Sequence, residues 1–67
     1  MENNIRQLRK AAGLRQEDLA QALGVTRQTI NAIENNKYDP TPTLGLAMRL
    51  ARLLNTPVEE IFHLPET

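Results

Sequence analysis

Cysteine is missing from this 67-residue chain, which also holds a single histidine. The first absence excludes disulfide and thiolate chemistry and makes a cytoplasmic location the natural expectation. The second leaves little for metal or proton-transfer work. Glu59 lies four residues before His63, a spacing that more often gives a helix-end charge pair than a metal site, which needs further ligands. Glu17 with Asp18, and Glu59 with Glu60, are sequence neighbours and so face different directions. No Gly-rich phosphate loop and no Ser-His-Asp set is present. Neither an enzyme nor a cofactor is expected, and no small-molecule ligand is indicated. Residues 1–6, Met-Glu-Asn-Asn-Ile-Arg, lack the apolar run of a signal peptide, and no segment is long enough to span a bilayer. No membrane partner is therefore expected.

Surplus charge is also absent. Eight basic and eight acidic residues give formal net zero and a pI near 6.6, which weighs against nucleic acid, since a nucleic-acid-binding domain is usually basic. The distribution restores part of that case. Residues 1–38 carry Arg6, Arg9, Lys10, Arg15, Arg27 and Lys37 against Glu2, Glu17, Asp18 and Glu34. Residues 57–67 carry only Glu59, Glu60 and Glu66. Any phosphate neutralisation would be local and modest, so non-specific affinity should be weak. The length allows one domain, residues 1–67, with a small core that needs tight packing or a second subunit.

What the chain does contain is concentrated in residues 16–35. Leu19, Leu23, Ile30 and Ile33 fall at helical spacing and define one shared apolar face. Ala20 is small where two helices must approach closely. Gly24 can take the left-handed conformation that ends a helix without a Cβ penalty. Val25 closes the apolar seam, and Thr26 is a good N-cap for the next helix. These features predict two short helices joined by a tight turn, with the second helix, residues 27–35, shaped to enter a DNA major groove.

Gln16, Ala20, Gly24, Val25, Ile30 and Ile33, followed by Glu34-Asn-Asn-Lys37, resemble the DNA-binding domain of the phage-repressor (Cro/cI, XRE) family, compact dimeric type. The likeness runs from Ile5 to Phe62, and the ending Leu54-Asn-Thr-Pro-Val-Glu-Glu-Ile-Phe62 adds to its specificity. It departs from the family at Arg15, where Ser or Thr is usual, and in an additional Pro-Thr ahead of the fourth helix. The resemblance implies an all-α, five-helix domain. Helix 1 is expected from about Asn4 to Ala12 with Gly13 as its stop, helix 2 from Gln16 to Leu23, and helix 3 from Arg27 to about Asn35. Helix 4 is expected to start at Pro42, with Thr41 as N-cap, and to end near Leu54. Helix 5 is short and begins at Pro57. In dimeric relatives the tail pairs with the first residues as a small β-ribbon, a role open here to His63–Thr67 and Glu2–Asn4.

The family's geometry also assigns roles. Arg27 and Gln28, in the first turn of helix 3, would face base edges, Arg bridging guanine O6 and N7 and Gln adenine N6 and N7. One turn further on, Asn31 would reach a base or the DNA backbone, and Ala32 a thymine methyl. Phosphates would fall to Gln16, Thr26, Thr29, Asn35, Lys37 and Tyr38. Thr26 has a second role as N-cap, and Tyr38 an alternative as a packed ring. Arg9 and Glu34 match the family's ion pair between helix 1 and the end of helix 3.

Helix 4 carries more apolar surface than one core face needs. Leu44, Leu46, Ala47, Met48, Leu50, Ala51, Leu53 and Leu54, at about 100° per residue, cover more than half its circumference. Helix 5 and a second subunit are expected to share the excess, with Leu54, Pro57, Val58 and Ile61 at a two-fold interface and Asp39 and Pro40 beside it. The alternative is a monomer with a slightly apolar surface. The functional expectation is a symmetric dimer that binds double-stranded DNA sequence-specifically at an inverted repeat and represses a promoter. The alternative from another class is an antitoxin or anti-repressor, a protein-interaction module working through helix 4.

Overall fold

Three left-handed residues end three helices. The computed structural model describes residues 2–35 and 43–63. Within them α1 spans Ile5–Ala11, α2 Gln16–Leu23, α3 Arg27–Glu34, α4 Leu44–Leu54 and α5 Val58–Ile61, and two short strands, β1 (Glu2–Asn3) and β2 (Phe62–His63), lie near the chain ends. Gly13 follows α1 at φ 74°, Gly24 follows α2 at φ 71°, and Asn55 follows α4 at φ 51°. In each case the next amide returns to a carbonyl five residues back: Leu14 to Arg9 at 2.9 Å, Val25 to Ala20 at 3.0 Å, Thr56 to Ala51 at 3.0 Å. This closure satisfies carbonyls that a helix end leaves open and reverses the chain sharply. Asparagine serves in the third position because its short polar side chain tolerates that region better than most.

The helix starts are fixed as firmly. Thr26 Oγ1 accepts from Thr29 N at 3.1 Å at the head of α3. Before α2 the hydroxyl is indeed missing at Arg15, yet the Asp18 carboxylate accepts the Arg15 backbone N–H at 2.8 Å, and the Arg15 guanidinium folds back onto the same carboxylate. Helix 4 starts later than expected. Thr43, not Thr41, is the N-cap, its Oγ1 accepting from Leu46 N at 3.1 Å, and the first helical residue is Leu44. Two threonines flank the proline, and the hydroxyl three residues before Leu46 is the one that meets an open amide. Thr41 and Pro42 themselves lie outside the described residues.

The core gathers Ile5 from α1, Leu19, Ala20 and Leu23 from α2, Ile30 and Ile33 from α3, Leu46, Ala47, Leu50 and Leu54 from α4, Ile61 from α5 and Phe62 from β2. Each large aliphatic side chain taken fully out of water contributes about 1.5–3 kcal/mol. Leu54 and Ile61, expected at a two-fold interface, are instead buried here. The reason is geometric: Leu46, Leu50 and Leu54 recur every four residues along the inward face of α4, and Ile61 is the inward residue of α5. The apolar surface left over lies elsewhere, at Leu44 (74% exposed), Met48 (50% exposed) and Leu53 (38% exposed). Pro57 stays exposed and Val58 half-buried. Asp39 and Pro40 lie outside the described residues.

The β-ribbon is present, pairing Glu2 with His63 and Asn3 with Phe62 in antiparallel register. It begins one residue earlier than the expected tail, at Phe62. Asn4 extends the connection: its backbone N–H donates to Ile61 O at 2.8 Å, and its Nδ2 to Glu60 O at 3.0 Å and towards His63 Nε2 at 3.0 Å. Asn3 ties the ribbon to the helices, donating from Nδ2 to Ile33 O at 2.8 Å and accepting from Ile5 N at 3.2 Å. The last turn of α3 is thereby held from near the start of the chain.

Candidate nucleic-acid interface

Helix α3 has two faces. Ile30 and Ile33 point into the core, while Arg27, Gln28, Asn31, Ala32 and Asn35 fall within about 140° on the other side, at 100° per residue. The Thr26 cap fixes where the helix starts, and with it the direction in which Arg27 and Gln28 leave the backbone. Both side chains are exposed. Among the described residues neither makes a hydrogen bond or an ion pair.

The far end of the same helix is fully engaged. The Glu34 side chain is 0% exposed. Its carboxylate accepts from Arg9 Nε at 2.7 Å and from Arg9 Nη2 at 3.2 Å, a two-pronged pairing that suits the planar guanidinium. Gln16 Nε2 adds a bond at 3.2 Å and Arg6 Nε one at 3.4 Å. Arg9 also donates from Nη1 to Leu14 O at 3.0 Å, so all its nitrogens are in use. Burial alone would push the Glu34 carboxyl up. The bonds from Arg9, Gln16 and Arg6 together outweigh it and hold the carboxyl below the usual glutamate range. Helices α1, α2 and α3 meet at this one anion.

Gln16 and Asn31 are drawn into the network. Gln16 Nε2 donates to Asn31 Oδ1 at 3.3 Å as well as to Glu34. Asn35 Nδ2 donates to Asn31 Oδ1 at 2.8 Å and to Asn31 O at 2.9 Å. Asn31 therefore has its oxygen committed while its amide hydrogens stay without a partner among the described residues. Gln16 has the reverse: both amide hydrogens are engaged. The donors left at the head of α2 are the backbone N–H groups of Gln16 and Glu17, since Asp18 N already donates to Arg15 O at 3.0 Å. Thr26 and Thr29 are exposed, their hydroxyls 3.0 Å apart. Lys37 and Tyr38 lie outside the described residues.

Arg9, Arg15, Gln16, Glu17 and Arg27 line one shallow cleft of about 390 Å³ between the starts of α2 and α3. Arg9 and Arg15 are paired with Glu34 and Asp18, so the cation open to an anionic partner among these is Arg27, and Glu17 tempers its charge. Elsewhere no group of His, Asp and Glu residues able to hold a metal occurs among the described residues. No described helix is long and apolar enough to cross a membrane.

Arg27, Gln28, Asn31 and Ala32 thus share the outward face of α3, with Thr26 and Thr29 exposed at its head and Gln16 bonded to Asn31. Reading the sequence overlooked Arg6 and Asn3. Arg6 had a signal, since it stands one helical turn before Arg9. Asn3 had none, because its bond to Ile33 O depends on the β-ribbon.

Comparison with known proteins gives the family. A family model described as "Helix-turn-helix" matches residues 5–61. A helix-turn-helix-type transcriptional regulator of Methanothermobacter thermautotrophicus is 51% identical over 67 residues, covering 98% of this chain and 94% of its own. One of Methanocaldococcus jannaschii is 48% identical over 62 residues, covering 92% and 91%. Among solved structures, the restriction-modification controller protein C.AhdI from Aeromonas hydrophila superposes with a TM-score of 0.74 at 33% identity, over 87% of this chain and 85% of that one. The chain belongs to the Cro/cI-like (XRE) helix-turn-helix family and is a transcriptional regulator with a helix-turn-helix DNA-binding domain, not an enzyme.

Proposed function

We propose that the protein binds a defined double-stranded DNA sequence as a homodimer in the cytoplasm and represses a promoter that its operator overlaps. The observation that carries this reading is the contrast along α3. Arg27 and Gln28 are exposed and without partners among the described residues, on a helix whose other end is clamped to α1 and α2 through Glu34. A clamped helix presents its first turn in a fixed pose, which base recognition requires. Arg27 reads guanine, Gln28 adenine, and Asn31 donates from its open amide hydrogens. Ala32 meets a thymine methyl. Thr26 and Thr29, with the first amides of α2 beside Gln16, hold phosphates. Lys37 and Tyr38 extend that contact along the backbone. Asn35 holds Arg6 and Asn31, and would have to release one of them to touch a phosphate directly.

Dimerisation rests on the outer side of α4. Leu44, Met48 and Ala51 share one face, and Ala51 continues through Arg52, Asn55 and Thr56 to Pro57 around a cavity of about 340 Å³. With Val58 this strip replaces Leu54 and Ile61 as the self-association surface. Two copies related by a two-fold axis would place their α3 helices in successive major grooves, about 34 Å apart. The operator is then an inverted repeat. Selection of bound fragments from random duplexes, together with sizing of the free protein, tests both halves. Enrichment of a two-fold symmetric motif by a dimer supports the reading, and failure to enrich any motif overturns it. The same exposed Leu44 and Met48 favour the alternative, an antitoxin or anti-repressor docking a different protein through α4. A monomer that enriches no motif and co-purifies with a partner at equal stoichiometry would establish that second reading.

A further inference from the structure

We infer that Arg6 is a phosphate-contacting residue, held by Asn35 at the edge of the α3 face that carries Arg27 and Gln28. The inference rests on the DNA-binding reading and adds a contact from outside the helix-turn-helix. Its basis is a count of charges around a buried anion. Glu34 supplies one negative charge and meets two guanidiniums. Arg9 is 10% exposed in its side chain and pairs with both carboxylate oxygens, so the Arg9–Glu34 pair is neutral. Arg6 is 46% exposed and touches Glu34 by a single long bond of 3.4 Å. Its charge is the one that remains.

The position of that charge is set by Asn35. The Asn35 amide hydrogens both turn to Asn31, and its Oδ1 accepts a short bond from Arg6 Nη2. Asn35 therefore has no donor to offer a phosphate and instead orients a group that has several. Arg6 Nη1 makes no bond with a described residue, and an anion at this edge would meet it directly. Asn35 belongs to the outward face of α3, so Arg6 stands beside the same groove wall that Arg27 and Gln28 approach. In a chain of formal net charge zero, an uncompensated cation here carries more weight than in a basic protein.

The test uses a 30-base-pair duplex of random sequence and the full chain, with affinity followed from 50 to 200 mM salt. One phosphate contact contributes about 0.9 to the slope of log affinity against log salt. Arg6→Gln keeps donors for Asn35 but removes the charge. It should shallow the slope by about 0.9, so that the variant loses roughly three- to four-fold less affinity across the range than the native chain. Arg6→Lys should restore the native slope, and neither variant should shift base preference. An unchanged slope in Arg6→Gln overturns the inference, whatever happens to affinity, because a residue that merely braces Glu34 would leave the slope alone. A second measurement needs no variant: the duplex should shield Arg6 of the native chain from an arginine-modifying dicarbonyl, and modification at the unbound rate would also overturn it. Failure of the DNA-binding reading would show separately, as a native chain with no salt-dependent affinity for any duplex.

Discussion

The two ends of α3 differ as much as two turns of one helix can. At its start Arg27 and Gln28 are exposed and open, fixed only through the backbone by the Thr26 cap. At its end Asn31, Glu34 and Asn35 are tied to α1 and α2 through Arg6, Arg9 and Gln16, and Ile33 O is held by Asn3. The difference teaches where stability and recognition have been separated. Breaking the buried Arg9–Glu34 pair at the closed end should unfold the domain, and substitutions of Arg27 or Gln28 at the open end should change only what it reads.

The largest effect is expected at Glu34. Glu34→Ala leaves Arg9 buried without its anion, and removing one partner of a buried pair costs about 3–5 kcal/mol. In a domain this small that approaches the whole stability, so urea unfolding of the variant should show little or no folded baseline. Acid tests the same group in the native chain. The folded-state carboxyl is held below its ordinary pKa near 4.5, so its contribution is complete above that value and is lost as pH falls through the depressed one. Glu34→Gln should flatten the acid limb of the stability profile. Asp18 also contributes to that limb, its carboxyl being lowered by the hydrogen bonds from Arg15. An acid limb identical in Glu34→Gln and native protein would show that the closed end is not electrostatic.

At the open end Gln28→Ala should leave unfolding free energy within about 0.5 kcal/mol of native. It should remove about 1–3 kcal/mol of discrimination at one base position, read from competition among duplexes. A stability loss comparable to that at Glu34 would erase the contrast between the two ends.

The turn between α2 and α3 sets the angle at which the open end is offered. Gly24→Ala meets no atom within 4 Å of the added Cβ, so its cost is conformational alone, about 1–2 kcal/mol for a left-handed residue bearing a Cβ. Thermal unfolding measures it. A neutral result would mean that the turn relaxes, and then base preference should change with it.

How much of this could be read from the chain itself follows the range of each interaction. The helix-turn-helix was legible because its determinants are local: Gly24, Thr26 and the spacing of Leu19, Leu23, Ile30 and Ile33 lie within about one turn of what they control. The Arg9–Glu34 proximity, across 25 residues, could be named only through family resemblance, since no local rule pairs them. Arg6 and Asn3 escaped notice because their partners are fixed by tertiary packing. Helix 4 was misplaced at its start because Thr41 and Thr43 offer the same chemistry two residues apart. That Leu54 and Ile61, expected at an interface, are buried in the core could not be foreseen for a related reason. A surplus of leucines shows that a helix has apolar surface to spare, but which leucines face inward depends on the rotation of α4 against its neighbours.

That rotation yields the smallest expected change in stability. Leu44 and Met48 lie on the outer face of α4, away from Leu46, Leu50 and Leu54, so replacing both with serine removes little buried area. Unfolding free energy of the monomer should move by no more than about 0.5 kcal/mol. Against Leu54→Ala, where cavity formation predicts a loss of about 2–5 kcal/mol, the two faces of one helix would be separated by stability alone. On the proposed dimer the double serine variant should still change behaviour in solution, because the apolar strip assigned to self-association loses its driving force when made polar. Sedimentation should then show a shift towards monomer at micromolar concentration with the fold intact. Equal sedimentation of variant and native protein would overturn the proposed self-association through α4, and leave Leu44 and Met48 as isolated surface hydrophobes of the kind every small domain carries.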